Sequence, residues 1–123
     1  MTSINIWLIT LGLFFIATLV SGMVLKKNGH PYSKLKISLH KFSALIVVLT
    51  TVVAFIKIFN ENTPRFTAIV LIAIIAIMYL ILFASGSIMS RQNHKTSEVV
   101  LLLHKIITIV VLAISITTFF YLQ

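Results

Sequence analysis

Between Arg65 and Arg91 the chain runs for 25 residues without a charged side chain. A helix over Phe66 to Met89 is about 36 Å long at 1.5 Å per residue, enough to cross a hydrocarbon layer of about 30 Å. Three further stretches read the same way: Ile4 to Leu25, about Ser33 to Ile58, and a last one that runs to Tyr121. Of the 123 residues 59% are hydrophobic and 10% charged, where a soluble domain carries about 25% charged. A chain of this size cannot hide so much apolar surface from water, so lipid must be its solvent. In lipid every backbone N–H and C=O must be satisfied within the chain, and the length of each stretch selects helices. The expected fold is all-α: a four-helix transmembrane bundle, antiparallel with short loops, in one domain.

A shift of 64 residues lays the sequence on itself. Ser21-Gly22 falls on Ser85-Gly86, His30 on His94, Ser33 on Ser97, Leu39-His40-Lys41 on Leu103-His104-Lys105, Val47 on Val111 and Phe55 on Phe119. Aliphatic residues match by chance in such a chain; four histidines, two Ser-Gly pairs and two His-Lys pairs in one register do not. We read two duplicated hairpins, about residues 1–60 and 65–123. Each begins and ends on the same side of the membrane, so the copies should be related by a pseudo-twofold axis along the membrane normal. Matched residues then lie at equal depth.

The boundaries carry ordinary stop and start chemistry. Lys26-Lys27-Asn28-Gly29 ends the first span, and His30-Pro31 opens the next, with Pro suited to a first helical turn. Phe59 to Arg65 reads as a tight connection rich in breakers, and Ser90 to Lys95 as the third loop. Thr96 or Ser97 can cap the last helix, with Glu98 in its first turn, where an anion is favoured. No basic segment precedes the first apolar run, and that run exceeds a signal-peptide core, so we expect a retained helix.

The formal charge of +8 belongs to the flanks of hydrophobic spans, which points to lipid headgroups and membrane orientation rather than to nucleic acid. Lys26, Lys27, Lys34, Lys36, Lys41, Arg91, Lys95 and Lys105 cluster around connections one and three, against Lys57 and Arg65 around the middle one. The imbalance predicts a plasma- or inner-membrane protein with connections one and three cytoplasmic and both termini outside. Trp7 and Tyr121 then fall near the outer interface. The chain has no cysteine and no aspartate; its acids are Glu61 and Glu98. Disulfides, thiolate ligands, covalent haem attachment and a thiol nucleophile are excluded. No Ser-His-Asp set, carboxylate pair, phosphate loop or nucleotide fingerprint occurs, which argues against self-contained hydrolytic or group-transfer chemistry.

His40 and His104 are the informative residues. Each falls roughly 10 Å inside a helix start, where an ionisable group is costly and is a functional hypothesis by default. A lone histidine there is most simply a core residue bonded to a serine or a carbonyl. Two at matched depth invite something between them, and a porphyrin iron accepts two imidazoles on opposite faces. Gly22 and Gly86, at similar depth on the partner helices, leave room for a large flat ligand or for close helix packing. Lys41 and Lys105 directly follow the histidines and can reach haem propionates or lipid phosphates. A bare zinc or copper ion wants three or four converging ligands. His30 and His40, like His94 and His104, lie ten residues apart and about 80° off a shared helical face. His30 and His94 belong nearer the surface, where they can bond propionates, line a quinone pocket, relay protons or cap a helix; a second haem there is strained by Pro31.

In these residues, His40-Lys41, His104-Lys105, Gly22 and Gly86, the sequence resembles cytochrome b561-like haem b membrane proteins. The resemblance implies a helical bundle with haem b between helices two and four, and electron exchange with a quinol or quinone or with a redox partner subunit. It implies a membrane oxidoreductase or an electron-transfer subunit of one. The outer half holds no second histidine pair, so one haem near the cytoplasmic face is expected rather than two stacked across the membrane. Few docking sites protrude from so small a chain, which suggests a partner subunit or a homodimer. Two other classes fit the same sequence: a structural or assembly subunit whose polar pairs fix helix register, and a small histidine-lined transporter. Cation export by an embedded acid is disfavoured, since both glutamates lie in or beside loops.

Overall fold

The computed structural model describes residues 3–29, 31–61, 66–91 and 97–122. It is all-α: α1 (Ser3–Asn28), α2 (Lys34–Glu61), α3 (Phe66–Arg91) and α4 (Glu98–Leu122), with no strand among the described residues. All four are long and apolar enough to cross a membrane. Their lengths of 26, 28, 26 and 25 residues correspond to roughly 38 to 42 Å. Each is therefore longer than a hydrocarbon core of about 30 Å.

The chain divides into two compact units, Met1–Asn62 and Thr63–Gln123. The division falls between the two sequence repeats. In the first unit α1 packs on α2, and in the second α3 packs on α4.

The helix ends show how far local chemistry sets the boundaries. α1 continues through both lysines, and Gly29 terminates it with φ +65°; its N–H reaches the carbonyls of Leu25 (3.2 Å) and Lys26 (3.3 Å). That left-handed cap suits glycine, which has no Cβ to clash. α2 begins at Lys34, and the Ser33 carbonyl accepts the Ile37 N–H at 3.0 Å. Pro31 thus lies ahead of the first turn rather than in it. The Ser97 carbonyl accepts the Leu101 N–H at 3.1 Å, so Ser97 opens α4, with Glu98 in the first turn. Thr96 lies outside the described residues. Phe59, Asn60 and Glu61 extend α2, and Ser90 and Arg91 extend α3, where breaker-rich composition suggested loop. Asn and Ser are tolerated in a last turn, because its backbone carbonyls face the headgroup layer and need no partner within the chain.

Each hairpin buries a narrow seam. In the first, Val47, Thr50, Thr51 and Phe55 are buried along α2, at spacings of three and four that hold one helix face. In the second, Ala68, Ile75 and Ser85 of α3 and Val111 and Thr118 of α4 are buried. The matched pair Val47 and Val111 is buried in both. Outside the seams large apolar side chains are exposed all round, for example Leu13, Phe42, Leu80 and Phe120. A soluble helix has a polar face; one that is apolar around its circumference has lipid against it.

Candidate functional site

Ser21 lies seven residues before the end of α1, and His40 six residues after the start of α2. In an antiparallel hairpin that places them at one depth, about 10 Å inside the helix ends. Nδ1 of His40 is 2.9 Å from Ser21 Oγ and 3.1 Å from the Thr18 carbonyl oxygen. The Ser21 hydroxyl donates to the same carbonyl at 2.9 Å. A carbonyl oxygen only accepts, so the His40 bond to it requires hydrogen on Nδ1. The neutral ring then carries its lone pair on Nε2. The triangle closes without conflict: two donors, O–H and N–H, meet the two lone pairs of one carbonyl.

The second hairpin repeats the contact. His104 Nδ1 is 2.7 Å from Ser85 Oγ, and the Ser85 hydroxyl donates to the Leu82 carbonyl at 3.1 Å. A ring with hydrogen on Nδ1 would donate to the serine oxygen and carry its lone pair on Nε2, as in the first hairpin. The same 19-residue separation joins serine to histidine in both units.

The glycines beside those serines have a defined neighbour. A Cβ on Gly22 would stand 3.2 Å from Cε1 of His40, 3.6 Å from Nδ1 and 4.0 Å from Nε2. One on Gly86 would stand 3.6 Å from Cε1 of His104. The space each glycine leaves is taken by the imidazole of its own hairpin. Each ring turns its Cε1 toward a notch on the preceding helix, with Nδ1 on the serine.

Hydroxyls steady the backbone on the far side of each ring. Ser43 donates to the His40 carbonyl at 3.0 Å, and Thr108 to the His104 carbonyl at 2.7 Å. Thr18 donates to the Phe14 carbonyl at 2.8 Å and sits 3.1 Å from Ser43 Oγ. Leu82 and Ile107 stand at the positions matching Thr18 and Ser43, so the hydroxyl network around His40 is wider than the shared core of serine, glycine and histidine. Thr18 and Ser43 were invisible to motif reading. Their signal is the register: a hairpin folded about the turn puts residues equidistant from it side by side.

Lys41 and Lys105 are exposed, each one residue beyond its histidine. His30 and His94 lie outside the described residues. Among the described residues no group of three or more His, Cys, Asp or Glu side chains is placed to hold a metal ion. At the opposite end of the first hairpin, Lys57 Nζ stands 4.9 Å over the Trp7 ring. No protein-family model, curated protein or solved structure matches this chain.

Proposed function

We propose that this chain is an integral membrane b-type cytochrome. His40 and His104 supply axial imidazoles to haem b, and the protein passes single electrons to or from a quinone or a partner redox subunit. The observation that carries this reading is the matched anchoring of the two rings. Metal-bound histidines almost always donate their second ring nitrogen to a carbonyl or a polar side chain, which fixes the tautomer and raises ligand basicity. Here Nδ1 has such a neighbour in both hairpins, and in the first the carbonyl contact puts hydrogen on Nδ1 and makes Nε2 the ligating nitrogen. The donor set therefore suits haem, which needs two imidazoles rather than a cluster of three or more ligands.

Bound haem supplies one-electron iron chemistry. The chain's own contributions are specific. Ser21, Thr18 and Ser85 orient the rings, and Gly22 and Gly86 give the rings room rather than the porphyrin. Lys41 and Lys105 offer cations to propionates. His30 and His94 are assigned to the surface side of the cofactor, toward propionates, a quinone or protons. The lysine and arginine imbalance orients the chain with connections one and three in the cytoplasm.

The test is a spectrum. Protein purified after expression with haem available should show a Soret band, with sharpened α and β bands on reduction. Both should vanish in His40→Ala and in His104→Ala. A wild-type protein that folds and binds no haem refutes the reading.

A second reading has an observation of its own. An imidazole seated in a glycine notch and bonded to a serine is also a device for locking two helices in register, as in a structural or assembly subunit. Under that reading both histidine variants lose stability, the wild type carries no chromophore, and partner binding persists.

A further inference from the structure

We propose that the turn between α1 and α2 is a docking surface for acidic phospholipid headgroups, a role that the matching turn of the second hairpin lacks. Lys26 and Lys27 are exposed in the last turn of α1, and Lys34 and Lys36 are exposed at the start of α2. α1 and α2 pack against each other as a hairpin, so these four cations crowd one end of it. With Lys41, residues 26–41 hold five lysines and no acid.

The internal duplication is the control. Both copies keep the serine, glycine and histidine of the notch, so those belong to the architecture. Lys41 is kept as Lys105 and Lys27 as the cation Arg91, but the other three lysines are not. At the positions matching Lys26, Lys34 and Lys36 stand Ser90, Glu98 and Val100. Residues 90–105 carry Arg91, Lys95, Lys105 and Glu98, a balance of +2 against +5 for residues 26–41. A hairpin of this kind thus folds without the extra lysines. Lys34 and Lys36 do not serve their helix either: α2 has cations and no acid in its first turn, where α4 has Glu98, and a cation opposes the dipole at a helix N-terminus.

What suits such a cluster is an anion at headgroup depth. Four or more lysines just outside the end of a membrane helix attract acidic lipid, and each contributes about fivefold in binding at the membrane surface. A phosphodiester headgroup with net negative charge can sit among several ammonium groups; a zwitterionic one brings its own cation and gains little. The lipid site stands whether or not the chain binds haem.

The experiment uses the whole chain in neutral detergent. Phosphatidylglycerol and phosphatidylcholine of equal acyl length are offered together, and retained lipid is counted by native mass spectrometry. The wild type should retain phosphatidylglycerol in preference by at least about tenfold. The triple variant K26S/K34E/K36V borrows residues the second hairpin already carries, and its preference should fall to near unity with an unchanged helical circular-dichroism spectrum. The reciprocal S90K/E98K/V100K variant should gain preference. A wild type without preference, or a triple variant that keeps it, overturns the proposal. So does loss of bound phosphatidylglycerol to millimolar inorganic phosphate beyond that caused by chloride at equal ionic strength, which would assign the site to soluble phosphate. If K26S/K34E/K36V fails to fold, K34Q with K36Q carries the same test.

Discussion

Gly22→Ala and Gly86→Ala are the same chemical change at matched positions of one repeat, and the geometry assigns them different outcomes. At Gly86 the new methyl would meet Cε1 of His104 at 3.6 Å, an ordinary van der Waals contact. At Gly22 it would meet Cε1 of His40 at 3.2 Å, so the ring must retreat by a few tenths of an ångström. That ring is pinned at Nδ1, the atom bonded to Cε1. Its 3.1 Å bond to the Thr18 carbonyl leaves hydrogen-bonding range after such a shift. Losing one such bond costs about 0.5–1.5 kcal/mol. The gain in helix propensity from glycine to alanine, about 1 kcal/mol, is common to both variants and cancels between them. Gly86→Ala should therefore be the more stable of the two by about 1 kcal/mol. Denaturation in mixed detergent micelles reads the difference. The His40→Ala background should erase it, because the ring that the methyl strikes is then absent. Equal shifts for the two variants, or a difference that survives in His40→Ala, would refute the notch geometry.

Other expectations follow from single contacts. Ser21→Ala and Ser85→Ala should each cost about 1 kcal/mol in stability; nitrogen NMR of labelled imidazole should show hydrogen on Nδ1 of both rings in the wild type, and a ring with hydrogen only on Nε2 would contradict the assigned tautomer. The hydroxyls of Ser115 and Thr118 are buried without a hydrogen-bond partner among the described residues, and Thr118 is fully buried. Thr118→Val keeps the shape and removes the orphan, so it should stabilise the second hairpin by about 1 kcal/mol; a loss of stability would show that the hydroxyl has a partner. Lys57→Gln should cost about 0.5–1 kcal/mol and shift Trp7 emission, and an unmoved emission spectrum would count against the ring contact.

The fold was legible because lipid leaves few choices. Long uncharged runs such as Phe66 to Met89 can only be helices in a membrane, and the structure has four helices close to where the runs lie. Their ends were less legible. Composition marked Phe59-Asn60-Glu61 and Ser90-Arg91 as connection, yet α2 and α3 continue through them, since polar residues at headgroup depth satisfy a helix end as well as a loop. The repeat located His40, His104, Gly22 and Gly86 together. It did not say that each glycine serves its own histidine. That needed the pairing register within the hairpin, which follows from where Gly29 breaks α1 and Ser33 opens α2. Thr18 carried no motif at all, because its backbone carbonyl, rather than its side chain, holds the ring.

Both serine–histidine bonds close within a single hairpin, and the first joins residues that are only 19 positions apart. Biogenesis can therefore proceed in halves. Once Lys41 and the rest of α2 have left the ribosome, the first ring has every partner that fixes its tautomer, with no help from anything still to be translated. An ancestral gene encoding one such hairpin would already have specified a complete imidazole cradle, and duplication then doubled a finished part instead of completing a broken one.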